Sequence, residues 1–341
     1  MHHDEISFHN VATLCESDEW EGLLIQRVPE SVRTALNEGA QRRMRHPAGV
    51  ELRFVPDGPV DVTLSTQGHG GKTSGKVHVF WGPFQTHETV DVGEEPTTIR
   101  VSLPEKLTDI VPDARDELAF DPRVCRLRLP GEHRGGYMCY HGVEGAVRPP
   151  RPAELPDRRY LAYGTSITEG EAPLAEHLTY ASQTATRLGA DLLNLGSCGT
   201  AYCDPAMAEY IAERDDWDVA TLALSVNMVG RFSVAEFRER ATAMIETIAA
   251  ANPRKPVAVI TIYTNGRDVC EGHPEADECE AFREALRAVV AGSPHENVHL
   301  LEGPTIIDGI AGLTPDLTHP GDDAMIRMGE NLADELEVLL S

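Results

Sequence analysis

Lysine is almost missing from this chain. Only Lys72, Lys76, Lys106 and Lys255 occur among 341 residues, so 26 of the 30 basic side chains are arginines, and they face 55 acidic residues. The resulting formal charge of −25 repels phosphate backbones, and no nucleic-acid partner is expected. No apolar run approaches about 18 residues, which predicts no membrane span. The opening MHHDEISFHN lacks the basic and then apolar blocks of a secretory signal, so the chain reads as cytoplasmic. Cysteine is too irregular for a disulfide framework: seven residues, at 15, 125, 139, 198, 203, 270 and 279, form no regular spacing and suit a reducing compartment. Cys270, His273 and Cys279 match no zinc pattern, and Glu271, Asp277 and Glu278 beside them suggest a solvated loop. Neither a metal nor an organic cofactor is expected.

What is present divides the chain in two, as its length suggests. From Gly49 to about Val147 there are short runs with strand character: VELRFV (50–55), VDVTLST (60–66), KVHVFW (76–81), TTIRVSL (97–103) and VCRLRL (124–129). DG, GHGG and PGEH turns punctuate them, which predicts a β-sandwich or jelly roll over residues 1–150. The segment 29–44 has helical composition and is expected to cover one edge of it. His69, His78, His87, His133 and His141 read as surface or packed histidines, and Trp81 as a core aromatic rather than a sugar-stacking one. Four prolines in VRPPRPAELPD (147–157) mark a linker.

Residues 151–341 alternate strand and helix. Strands are predicted at 158–163, 191–196, 218–225, 256–263 and 297–303, with helices near 178–188, 205–214, 234–251, 276–291 and 322–340. Asp204-Pro205 offers an N-cap followed by proline at the first helical position. In the last helix Met325, Met328, Leu332, Leu336 and Leu339 recur at spacings of three and four, which gives one buried face. Near-continuous apolar strands in βα alternation predict an α/β fold, a three-layer α/β/α domain on five parallel strands. Ligands in such folds bind beyond the carboxyl ends of the strands.

Those ends carry the reactive side chains. The first strand runs into Gly164-Thr165-Ser166-Ile167-Thr168-Glu169-Gly170, a strand-to-helix turn that lifts Ser166 off the sheet. The last leads to Asp316-Leu317-Thr318-His319-Pro320. A serine needs an adjacent base, histidine suits that role at neutral pH, and a carboxylate three residues away can hold its tautomer. Helix capping by Asp316 is the alternative, but Asp322 and Asp323 already stand at that helix start.

GTSITEG resembles the serine block of the SGNH (GDSL-type) hydrolases, and DLTHP resembles their histidine block. Asn194 to Thr200 is similar to the second block and Ser225 to Met228 to the third. The resemblance spans 158–341 with all four blocks in order, and it implies a Ser166–His319–Asp316 triad. It also implies an oxyanion hole from the amides of Ser166 and Gly199 and the side chain of Asn227. Thr165 replaces the usual aspartate before the serine, and Met228 replaces the aspartate that often follows the block-three asparagine. The latter resembles a branch with an N-terminal β-sandwich, several of whose members act on acetylated carbohydrates. The expected activity is therefore a serine esterase acting on short-chain, acetyl esters of a carbohydrate or small molecule. Tyr202, Arg231 and Phe232 are placed to flank a polar alcohol. The alternatives are a lipid or thioester hydrolase on the same scaffold, or a non-catalytic carbohydrate-binding protein. The sequence leaves the oligomeric state open.

A charge of −25 with four lysines is what a halophile's protein shows, an ordinary acidic mesophilic protein being the alternative. Repulsion among carboxylates weakens as salt shortens the Debye length to about 3 Å at 1 M. The melting temperature should rise from about 0.1 M to molar salt; a flat profile in a thermal scan would remove the halophile reading.

Overall fold

Apolar strands without alternation can be buried only in a sheet covered on both faces. The computed structural model, which describes residues 1–16, 19–68, 73–131 and 135–341, contains such a sheet. Its strands are β1 (Arg158–Tyr163), β2 (Ala190–Asn194), β3 (Val219–Ala223), β4 (Val257–Ile260) and β5 (Val298–Leu301), all parallel in the order β2-β1-β3-β4-β5. The period of two sorts the side chains. Leu161, Tyr163, Ala220, Leu222, Val257 and Val259 enter one apolar cluster, while Tyr160, Ala162, Val219, Ala223, Ala258 and Ile260 enter another.

The first cluster is covered by α3 (Pro205–Glu213), α4 (Val234–Ala251) and α5 (Ala276–Ala291). The second is covered by α2 (Tyr180–Arg187) and α6 (Asp322–Leu340), and α1 (Ser166–Glu169) is a single turn leaving β1. Met325, Met328, Leu332 and Leu336 are fully buried along α6, and Leu339 packs at the margin. Helix and strand bounds therefore fall within about three residues of those expected. Asp204 precedes α3 as expected, but its carboxylate accepts from the Asn37 side chain at 2.6 Å and makes no cap bond. No helix among the described residues is long and apolar enough to cross a membrane.

Residues before 150 form two antiparallel sheets. One runs His2–His3, Ile6–His9, Glu51–Pro56, Cys125–Arg128, Ser74–Trp81, Phe84–Gly93, with Val147–Arg148 beside Glu51–Pro56. The other runs Thr13–Cys15, Leu23–Gln26, Tyr137–Glu144, Val60–Gln67, Thr97–Val101. A single apolar cluster takes Phe8, Leu52 and Leu127 from the first and Ile25, Val62 and Ile99 from the second. Trp81 is 3% exposed within it, a core aromatic. His78 is buried, His87 is exposed and His141 bonds Ser65; His69 and His133 lie outside the described residues.

The segment 29–44 departs from expectation. It forms two short helices, Glu30–Ala35 and Glu38–Arg43, and these do not cover an edge of the antiparallel sheets. Leu36, Ala40 and Met44 instead enter the core beneath the parallel sheet, beside α3. Helical composition identified the element, but it carries no information about which core a helix will join.

The two halves meet through buried charge. Arg53 donates both terminal nitrogens to Asp191 at 2.6 Å and its Nε to Glu51 at 2.8 Å, while Arg126 forks onto Glu51 at 2.6 and 2.7 Å. Burial raises the pKa of the Glu51 and Asp191 carboxyls, but the arginines outweigh it and hold both below the usual carboxylate range. Removing one partner of a buried pair strands the other charge, typically at a cost of 3–5 kcal/mol. Because Glu51 still faces Arg53, Asp191→Ala should cost about 3 kcal/mol in urea unfolding. Adding Arg53→Met should restore part of it; a loss under 1 kcal/mol would mean that the pair is not holding the halves together.

Candidate active site

The carboxyl ends of β1, β2 and β3 and the turn before α6 converge on Ser166. Thr165 stands in extended backbone ahead of it, and Gly170 ends the turn of α1 in the left-handed region at φ 102°. Ser166 is the first residue of that turn, where a backbone N–H has no intrahelical acceptor. The Ser166 side chain reaches His319, with Oγ 2.8 Å from Nε2.

His319 is held from its other side. Nδ1 lies 2.6 Å from Asp316 Oδ2, while Asp316 Oδ1 accepts from Thr314 Oγ1 at 2.7 Å and from the backbone N–H groups of Thr318 at 2.8 Å and His319 at 3.0 Å. Leu317 adopts a left-handed φ of 53°, which folds the turn so that a carboxylate three residues back meets the ring. Burial raises the Asp316 pKa, but these hydrogen bonds more than offset it and hold the carboxyl well below its usual range. Asp316 therefore accepts only, which makes His319 Nδ1 the donor.

A carboxylate that the motif reading missed stands beside them. Glu171 Oε2 is 3.1 Å from His319 Nε2 and 3.2 Å from Cys198 Sγ. Its only sequence signal is its place just past Gly170, whose left-handed backbone ends α1 and turns the chain so that the Glu171 N–H donates to Ser166 O at 2.9 Å. Burial lowers the His319 pKa, but the hydrogen bonds and charges of Glu171 and then Asp316 outweigh it, so the net shift is upward.

The loop after β2 passes beside Ser166. Gly196 must be glycine, because a Cβ there would stand 2.2 Å from Glu169 N. Gly199 sits at φ 67°, a conformation that favours glycine. Asn194 ties this loop to the serine turn, donating to Thr168 O at 2.8 Å and accepting from Gly196 N at 2.8 Å. Asn227, beyond β3, accepts from Ala201 N at 3.3 Å through Oδ1, which leaves its NH₂ end as the one able to donate elsewhere. Met228 is fully buried in the core as a packing residue.

Tyr202, Arg231 and Phe232 stand together next to Gly199. The Tyr202 hydroxyl donates to Gly199 O at 2.9 Å and receives Arg231 at 3.0 Å, and its ring lies 5.2 Å from that of Phe232. A small apolar cavity of about 10 Å³ lies among the strand ends, lined by Thr165, Ile167, Ala223, Leu224, Val226 and Tyr263 among others, but not by Ser166 or His319. None of the seven cysteines, all among the described residues, is in a disulfide. Cys279 is buried in the core while Cys270 is exposed. Among the described residues no three His, Cys, Asp or Glu side chains are grouped to hold a metal ion.

Glu171→Gln removes one of the two carboxylates facing His319. The imidazole, held above its ordinary pKa of about 6.5, should then titrate at lower pH, as followed by NMR of the ring protons. A titration unchanged by the substitution would remove Glu171 from control of His319.

Comparison with solved structures finds the same fold across almost the whole chain. A salicylyl-acyltransferase, SsfX3, from a tetracycline biosynthetic pathway is 18% identical with a TM-score of 0.76, over 98% of this chain and 95% of that one. A family two carbohydrate esterase from Cellvibrio japonicus is 13% identical with a TM-score of 0.61, over 99% and 96%. An acetyl xylan esterase, Est2A, from the rumen bacterium Butyrivibrio proteoclasticus is 12% identical with a TM-score of 0.58, over 100% and 97%. Comparison with curated proteins by sequence gives no match. The model of the GDSL-like lipase/acylhydrolase family matches residues 157–337, more than half of the chain, and the chain belongs to that family of ester hydrolases.

Proposed function

We propose that this chain is a serine esterase that removes short acyl groups, acetyl above all, from a carbohydrate or similar hydroxylated alcohol. The observation that carries the reading is the unbroken hydrogen-bonded chain Ser166–His319–Asp316 at the carboxyl end of the parallel sheet. Ser166 Oγ attacks the ester carbonyl as His319 Nε2 takes its proton, and Asp316 holds the ring and the imidazolium that forms. The amides of Ser166 and Gly199 and the Asn227 NH₂ group receive the developing oxyanion. His319 then protonates the leaving alcohol, and water activated by the same nitrogen releases the acid. The chemistry needs neither metal nor organic cofactor.

The acyl preference rests on space. Each methylene transferred from water to an apolar wall gains about 0.8 kcal/mol. The segments that follow the strands of the parallel sheet, 169–173, 200–204, 230–233 and 264–268, are short, small or charged and offer no continuous apolar wall to a long chain. The cluster of Tyr202, Arg231 and Phe232, aromatic faces with polar tips, suits a hydroxylated ring. One solved structure of this fold is named as a carbohydrate esterase and another as an acetyl xylan esterase, in keeping with such a substrate.

We read the two antiparallel sheets of residues 1–150 as a β-sandwich with a jelly-roll-like character and residues 151–341 as the catalytic domain. The proline-rich linker supports that boundary, with the helices of 30–43 as a loan from the first part to the core of the second.

The test is kcat/KM for nitrophenyl esters from two to twelve acyl carbons, then acetate release from acetylated sugars. Acetyl should be best, with a steep fall beyond about four carbons. Rates that climb with chain length would replace this reading by a lipid hydrolase. Ser166→Ala should lose nearly all turnover while remaining folded, and near-normal activity in that variant would end the serine mechanism.

A further inference from the structure

The loop Asn194–Thr200 presents every second carbonyl to residues that precede the first strand of the parallel sheet by more than a hundred positions. Asn194 O and Gly196 O each accept from Arg27 at 3.0 Å, Cys198 O accepts from Arg43 Nε at 2.9 Å, and Thr200 O accepts from Asn37 at 3.0 Å. Arg27 also donates to the Arg43 carbonyl at 2.6 Å, which joins two of these grips. On the amide side, Cys198 N donates to Glu169 Oε2 at 2.6 Å, and Glu169 Oε1 is 2.9 Å from Nδ1 of the buried His46.

One of these contacts bears directly on catalysis. Cys198 C=O and Gly199 N–H belong to one planar trans peptide and point in opposite directions. A guanidinium fixed on the carbonyl therefore aims the N–H on the other side. A cationic donor on the oxygen also draws electron density from the amide nitrogen, so that the N–H donates more strongly. Gly199, in the left-handed region, sets no side chain against either group.

We infer that Arg43, from the segment preceding the catalytic domain, is a positioning residue that aims and polarises the Gly199 N–H of the oxyanion hole. The inference rests on the serine-esterase reading above. It gives the N-terminal half a part in the chemical step, distinct from substrate capture. An oxyanion exists only as the reaction proceeds, so the effect falls on kcat and not on ground-state binding.

The experiment is Arg43→Met in the full-length chain with nitrophenyl acetate. Losing a donor outright costs about 10² to 10³ in rate; a donor that is present but loosened should cost about 10- to 100-fold in kcat, with KM within about threefold. Affinity for a phenylboronic acid, whose tetrahedral adduct places an oxygen in the hole, should fall by a similar factor. Arg43→Lys keeps a cation for Cys198 O and should recover most of the loss. Wild-type kcat in Arg43→Met, a rise in KM alone, or a loss matching the unfolded fraction would each overturn the inference. Should the methionine variant not fold, Arg43→Gln must turn over more slowly than Arg43→Lys, and equal rates would overturn it. Ser166→Ala in the same assay separates the two levels. If it is inactive while Arg43→Met is normal, only the role of Arg43 falls; if it turns over, both fall.

Discussion

A strand at the edge of a sheet leaves a row of backbone groups without partners. In this molecule that edge is Ala190–Asn194, and its exposed carbonyls are met by side chains rather than by another strand. Leu192 O faces the His9 ring, and Asn194 O accepts from both Asn10 and Arg27. The loop that follows inherits the arrangement through Gly196, Cys198 and Thr200. Closing the edge and shaping the loop beside Ser166 are thus one structural act, performed by the N-terminal residues. The fold of the second half alone would leave both undone.

The same contacts explain how a chain of such negative charge builds a charged interior. Several of its arginines meet buried carboxylates: Arg53 on Asp191 and Glu51, Arg126 on Glu51, and Arg148 on Glu154. A planar fork satisfies both oxygens of a carboxylate at once, which a lysine cannot do. The excess of acid is left to the surface. His9, buried against Arg53, has its pKa lowered to about 4 by burial first and by that guanidinium second, so it adds no further positive charge near neutrality.

The fold of the second half was largely legible in the sequence. Its strands are apolar throughout and its helices carry caps and periodic faces, so local pattern and tertiary role agree. Ser166, Asp316 and His319, named from short blocks at strand ends, are joined by hydrogen bonds in the structure, and Gly199 and Asn227 are candidates from the same kind of block. The N-terminal half was less legible. Phe84–Gly93 and Tyr137–Glu144 are genuine strands that were passed over, one largely exposed and the other interrupted by a register shift after Tyr140. Glu171 and Arg43 carry no motif at all. The significance of Glu171 depends on the left-handed turn at Gly170 that returns it to His319, and that of Arg43 on contact with a loop 155 residues away.

The placement of the segment 30–43 has a consequence for how the chain is made. Its apolar residues Leu36, Ala40 and Met44 emerge early in synthesis, yet their partners in α3 and α4 appear more than 160 positions later. Until then the helices have no core to join, and the loop that their Asn37 and Arg43 grip does not exist. Contacts this distant in sequence form slowly and leave apolar surface open in the interval. The nascent chain must therefore carry this segment unburied until α3 has been made. The last helix, made immediately after His319, closes the molecule.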